Sequence, residues 1–105
     1  MIKTSEQEQS KVRVPNEKKK EIFAVVQKIL GGSRMDVHCQ DGKSRMARIP
    51  GGKRRALKRI RTGDVLIVSP WDIQDEKADI VYKYRKTQAN LLKKKKILPE
   101  ELIID

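Results

Sequence analysis

Aromatic side chains are scarce: Phe23, Trp71, Tyr82 and Tyr84 are the only four in 105 residues. A large ligand pocket walled by aromatic rings is therefore not expected. The chain has one cysteine, Cys39, so an internal disulfide is excluded and a reducing compartment is expected. The single histidine, His38, is its neighbour. One Cys and one His fall short of the roughly four ligands of a structural zinc site. On a strand the two point to opposite faces, which excludes a Cys–His dyad there. Gly52-Lys53 resembles the end of a phosphate loop, but Ala47 stands where such a loop has its first glycine, and Arg54 replaces its Ser or Thr. Long apolar runs are also missing. The longest, Ile22 to Val26, has five residues against the ~20 of a membrane-spanning helix. The first 20 residues are polar and charged and form no signal peptide. These absences exclude catalysis, a cofactor and a metal, and lead us to expect a soluble cytoplasmic protein without membrane contacts.

What is abundant is positive charge. Lys and Arg number 25 against 14 Asp and Glu, a net +11. Such an excess on a small chain calls for a polyanionic partner, and nucleic acid fits better than an anionic membrane surface. The charge is blocked, not diffuse. Residues 43–61 hold nine cations and no acid: Lys43, Arg45, Arg48, Lys53, Arg54, Arg55, Lys58, Arg59 and Arg61. Residues 83–96 hold seven cations and no acid, ending in Lys93 to Lys96. A run of charge is often only a solvated face, but nine like charges repel one another unless an anion sits among them. Six of the nine are arginines, whose planar fork suits phosphates and bases. These nine residues are the candidate nucleic-acid-binding set, with Lys93 to Lys96 as either a soluble helix end or a second phosphate contact.

Residues 1–15 have low hydrophobicity and no period, which predicts a mobile arm. Met35, Val37 and Cys39 alternate with Asp36, His38 and Gln40, the pattern of a half-buried strand. Asp41-Gly42 then makes a tight turn into a partner strand over 43–49. Thr62-Gly63-Asp64 is a second turn, leading to the apolar strand Val65 to Val68, and Ala78 to Tyr84 is another β-rich run. Residues 16–31 read two ways. Ile22, Val25, Val26, Ile29 and Leu30 have helical spacing, with Asn16 as a cap, yet Ile, Phe and Val favour strands and Gly31-Gly32 suits a hairpin. Near the C-terminus, Thr87 as N-cap and the lysines in the last turn predict a helix, and Pro99 to Ile103 a second short one. The chain is thus an all-β core, a small barrel or sandwich, with a helical appendage. Trp71 fits the core or its rim, and Tyr82 and Tyr84, which share a strand face, fit either base stacking or packing under the helix.

Several stretches taken together resemble translation initiation factor 1A of archaea and eukaryotes. They are Asp41-Gly42-Lys43-Ser44-Arg45, Arg48-Ile49-Pro50-Gly51, Gly63-Asp64-Val65-Leu66-Ile67-Val68, Pro70-Trp71-Asp72-Ile73-Gln74-Asp75 and Lys77-Ala78-Asp79-Ile80-Val81-Tyr82-Lys83-Tyr84, followed by Leu98-Pro99-Glu100 after the helix. The resemblance covers roughly residues 19–101. It implies a five-stranded OB-fold barrel of the S1-like type over 18–85, a C-terminal helical extension over 86–105 and a flexible arm over 1–17, with the ambiguous segment as the first strand. It also implies binding in the aminoacyl site of the small ribosomal subunit through rRNA, promoting initiator tRNA binding and subunit dissociation, with the initiator tRNA complex and a translation initiation GTPase as partners. Arg59 stands before Ile60 where the family's basic loop has an aromatic, and one extra glycine, Gly51 or Gly52, lengthens that loop. The ending Leu102-Ile103-Ile104-Asp105 lacks the acidic tail of eukaryotic members and is similar to the archaeal form.

Two other readings compete. One is a general single-stranded nucleic-acid chaperone of OB-fold type, weakened by the paucity of aromatics on which such proteins stack bases. The other is a permanent subunit of a ribonucleoprotein. The free protein is expected to be a monomer, since one small barrel uses up the apolar residues and +11 opposes self-association.

Overall fold

The computed structural model describes residues 12–53, 57, 59–99 and 102. Five strands, β1 (Ile22–Gly31), β2 (Arg34–Cys39), β3 (Ser44–Arg48), β4 (Val65–Pro70) and β5 (Lys77–Lys83), precede one helix, α1 (Lys86–Lys94). The strands close into a barrel in the order β1-β2-β3-β5-β4, the OB-fold the resemblance implies. All pairs are antiparallel except β3 with β5.

Residues 22–31 form a strand, and the reason their spacing looks helical is physical. β1 is buried on both sides along its first half. Ala24 and Val26 face the barrel interior with Met35, Val37, Ala47, Leu66, Val68 and Ile80. Phe23 and Val25 face outward into a second core with Val65, Ile67, Tyr84 and Leu92. A strand covered on both faces reads as a continuous apolar run and loses its period of two. Ile29 and Leu30, which completed the apparent helical stripe, are exposed. β1 turns into β2 at Gly31 and Gly32, both at positive φ (+106° and +61°), which side-chain-bearing residues rarely adopt.

The second core joins helix to barrel. Leu92, Leu98 and Leu102 pack on the outer faces of β1 and β4. Thr87 is not the N-cap. Arg85 holds that position, and its backbone N–H donates to Gln88 Oε1 (2.8 Å), which satisfies one orphan donor of the first turn. At the other end Lys96 (φ +57°) is left-handed, and Ile97 N donates to Leu92 O (2.9 Å) and Lys96 N to Lys93 O (3.1 Å), a Schellman stop. Of the expected second helix, only Pro99 and Leu102 lie within the described residues.

Of the arm expected over 1–17, residues 1–11 lie outside the described residues. Val12 packs against the second core, the Tyr84 hydroxyl donates to the Arg13 carbonyl, and the Arg13 guanidinium lies 5.3 Å from the Tyr82 ring centre. Asn16, rather than opening a long helix, caps a three-residue 3-10 turn, Glu17–Lys19, by accepting from Lys18 N (3.0 Å). Tyr82 and Tyr84 meet edge to face at 5.0 Å within this packing, so they serve the second core.

Candidate nucleic-acid interface

The basic connection between β3 and β4 is tied to the barrel by a residue that charge counting passes over. Leu57, 4% exposed, packs into the barrel core beside Ile49 and Ile60, and its N–H donates to Lys53 O (3.0 Å). A buried apolar anchor in a cationic loop fixes where the loop's charges stand. Lys53, at the end of the 3-10 turn Gly51–Lys53, is exposed, as are Arg59 and Arg61. Arg54, Arg55 and Lys58 lie outside the described residues.

The two basic blocks, separate in the chain, meet in space. Arg59 and Arg61 line a depression of about 240 Å³ with Lys83, Arg85 and Lys86 from the end of β5 and the start of α1. A second depression of about 270 Å³, which shares Asp64, Tyr84 and Lys86 with the first, carries the groove along α1 to Asn90 and Lys93. Among the described residues Asp64 is the one carboxylate lining either depression. It accepts from Arg61 N (2.8 Å) and lies 3.9 Å from Lys83 Nζ, so it fastens the Arg61–Asp64 turn. Gly63 at φ +92° is the third residue of that turn, where positive φ is required. Arg59 is itself left-handed (φ +61°), and its carbonyl accepts from Lys83 Nζ (3.2 Å). Sequence reasoning singled out Arg59 and Arg61 but not Lys83, Arg85 or Lys86. The signal was the acid-free block 83–96; what was missing was that barrel closure delivers it beside the β3–β4 loop.

The other three candidates stand elsewhere. Arg45, one of the candidate set, is 4% exposed. Along β3, Arg45 and Ala47 take the core face while Ser44 and Arg48 face outward. The Arg45 guanidinium emerges at the barrel end, where Nη1 and Nη2 donate to Asp41 (3.0 and 2.8 Å), Nη2 to Asp75 (3.1 Å) and Nε to the Asp75 carbonyl (2.7 Å). Its donors are consumed within the protein. The Arg45 hydrogen bonds hold the Asp41 carboxyl below its usual range, and bonds from Lys43 and then Arg45 do the same for Asp75. Lys43, exposed, pairs with Asp75 at 2.9 Å. Arg48 donates from Nε to Asp79 Oδ1 (2.9 Å) and lies over Trp71.

The chemistry available is electrostatic. Cys39 is buried, and burial pushes its thiol up, so at neutral pH it is a protonated core group and not a nucleophile. Among the described residues no three His, Cys, Asp or Glu side chains gather to hold a metal ion, and no helix is long and apolar enough to cross a membrane. Among the described residues the charged lining of the groove is arginine and lysine around one paired carboxylate, Asp64, a donor set that suits phosphate oxygens.

The chain is similar to known proteins. The family model for translation initiation factor 1A / IF-1 matches residues 9–105. The translation initiation factor 1A of Thermoplasma volcanium is 50% identical over 102 residues, covering 95% of this chain and 82% of that protein. The protein of the same name from Thermoplasma acidophilum is 48% identical over 100 residues, with coverage of 95% and 83%. Among solved structures, YjeQ from Thermotoga maritima matches with a TM-score of 0.51 at 15% identity over 62% of this chain and 23% of that one, a likeness of fold alone.

Proposed function

Because the chain belongs to the translation initiation factor 1A / IF-1 family, a family of non-enzymatic factors, we propose that it binds rRNA in the aminoacyl site of the small ribosomal subunit. There it promotes initiator tRNA binding and subunit dissociation, acting as a monomer. The observation that carries the RNA reading is the groove in which Arg59, Arg61, Lys83, Arg85 and Lys86 converge around a single, internally paired Asp64. Charge focused in a concave site on a barrel raises the local concentration of a polyanion far more than the same charge spread evenly. OB barrels present such surfaces to irregular RNA.

The test is the salt dependence of binding to purified small subunits. The double substitution Arg61→Ala, Lys86→Ala removes two phosphate contacts and flattens the plot of log affinity against log salt by about 1.4–1.8. Lys19→Ala, on the exposed 3-10 turn outside the groove, leaves the slope unchanged. Equal slopes for the double variant and the parent would refute the groove. Binding to free single-stranded RNA as tight as to subunits would instead identify a general chaperone.

A further inference from the structure

Outside the groove, and sharing no residue with it, one region combines an aromatic plane, exposed apolar surface and uncompensated positive charge. Trp71, the only tryptophan, follows β4 and is a wall common to two depressions. The first, about 170 Å³, is lined by Arg34, Met46, Arg48 and Lys77. The second, about 440 Å³, lies against Asp72, Ile73 and Gln74. The indole is held in place: Nε1 donates to Asp79 Oδ1 (3.0 Å), and the backbone N–H donates to Lys77 O (2.9 Å). Arg48 and Lys77 stand 4.9 and 5.5 Å from its ring centre. The loop that follows is also pinned, through the Arg45 bond to the Asp75 carbonyl (2.7 Å). The site is therefore preorganised.

One of its features costs stability and another leaves apolar surface open, unless a ligand uses them. Arg34 lies directly opposite Arg48 in the β2–β3 register, and like charges so placed repel. Asp79 pairs with Arg48, and among the described residues no carboxylate pairs with Arg34. Ile73 is 95% exposed beside the half-buried indole. A lone exposed isoleucine is ordinary, but Ile73 lines the same depression as the fixed indole and adds apolar surface beside it. Barrels of this type use the face of strands 2 and 3 with the loops after strands 1 and 4 to hold oligonucleotides. Arg34 opens β2 just after the first of those loops, and Trp71 opens the second.

We infer that Trp71 and Ile73 clamp one unpaired RNA base, with Arg34, Arg48 and Lys77 holding the flanking phosphates. This rests on the RNA-binding reading above but assigns a base contact to a separate site. An apolar protein side chain would fill the cleft equally well, yet it would leave Arg34 and Lys77 without an anion.

Trp71 is its own reporter. Titration of the whole protein with an adenosine hexaribonucleotide quenches its emission to saturation, and an abasic ribose-phosphate oligomer of equal length does not. Trp71→Leu weakens binding of the hexamer about 5- to 150-fold, the range found for loss of one stacked base. Ile73→Ser alters a side chain too exposed to matter for folding; it lowers both affinity and quenching. Arg61→Ala, Lys86→Ala lowers affinity and salt slope but leaves the quenching at saturation intact. Salt-dependent binding with unchanged emission and an unaffected Ile73→Ser variant would overturn the clamp and leave the groove standing. Quenching by an apolar peptide but not by the hexamer would overturn it in favour of a protein partner. Absence of any salt-dependent binding would overturn both.

Discussion

Replacing Arg45 by methionine keeps an unbranched apolar stem in the barrel and removes a guanidinium that donates to Asp41 twice (3.0 and 2.8 Å), to the Asp75 carboxylate and to the Asp75 carbonyl (2.7 Å). Removing one partner of a fully buried pair costs about 3–5 kcal/mol, because the other is stranded. Here the arginine is buried but Asp41 and Asp75 are exposed enough for water to take them back. The loss is therefore smaller, about 2–3 kcal/mol, the order of one or two hydrogen bonds to a charged group. For a domain of this size that lowers Tm by roughly 8–20 °C. Arg45→Lys keeps the charge but not the fork and recovers about half. The pH dependence has a definite sign. Asp41 and Asp75 titrate lower folded than unfolded, so their contribution is full above the unfolded carboxyl value of about 3.9 and is lost as pH falls through the folded one. The parent should lose this stability on acidification below about pH 4, and Arg45→Met less so. Urea titrations followed by Trp71 emission at neutral and acid pH measure both effects. A variant with the parent's midpoint but weakened subunit binding would refute the reasoning, and would return Arg45 to the RNA surface.

Leu57→Ala opens a cavity at the anchor of the basic loop and should cost about 2–5 kcal/mol in urea unfolding. It should also weaken small-subunit binding with every cation still present, and unchanged stability would mean that the loop is not anchored there. Lys96→Gly relieves a side chain from the left-handed region at the helix stop and should stabilise by up to about 1 kcal/mol in thermal melts, since the gain exceeds glycine's larger unfolded-state entropy; a lowered Tm would count against it.

Local features of the fold were legible in the sequence and distant ones were not. The alternation of Met35, Val37 and Cys39 marks β2 because only one of its faces is buried. The glycines at 42 and 63 mark turns because positive φ is a local demand. β1 escaped that logic, since what covers Phe23 and Val25 is a helix some 60 residues further on. Thr87 has the chemistry of a cap, but Gln88 reaches Arg85 first. The candidate site divides along the same line. Arg45 entered the candidate set as part of an acid-free run of charge, and its burial follows from two-residue alternation along β3, which places it with Ala47 on the core face. Lys83, Arg85 and Lys86 could be counted as charge but not located, because only closure of β5 against β4 brings them to Arg59 and Arg61.

The double burial of β1 also sets a timetable for a chain made from its N-terminus. Ala24 and Val26 are covered once β2, β3 and β4 are available to close around them. Phe23 and Val25 wait for Tyr84, Leu92 and Leu98, which are synthesised later. Between those moments a complete or nearly complete barrel shows solvent an apolar stripe across β1 and β4, where Val65 and Ile67 lie beside Phe23 and Val25. A stripe of that kind is a place for one unfinished chain to stick to another. Helix α1 with Leu98 and Leu102, which add no strand to the barrel, thus act as its cover, and their arrival hides the adhesive stripe.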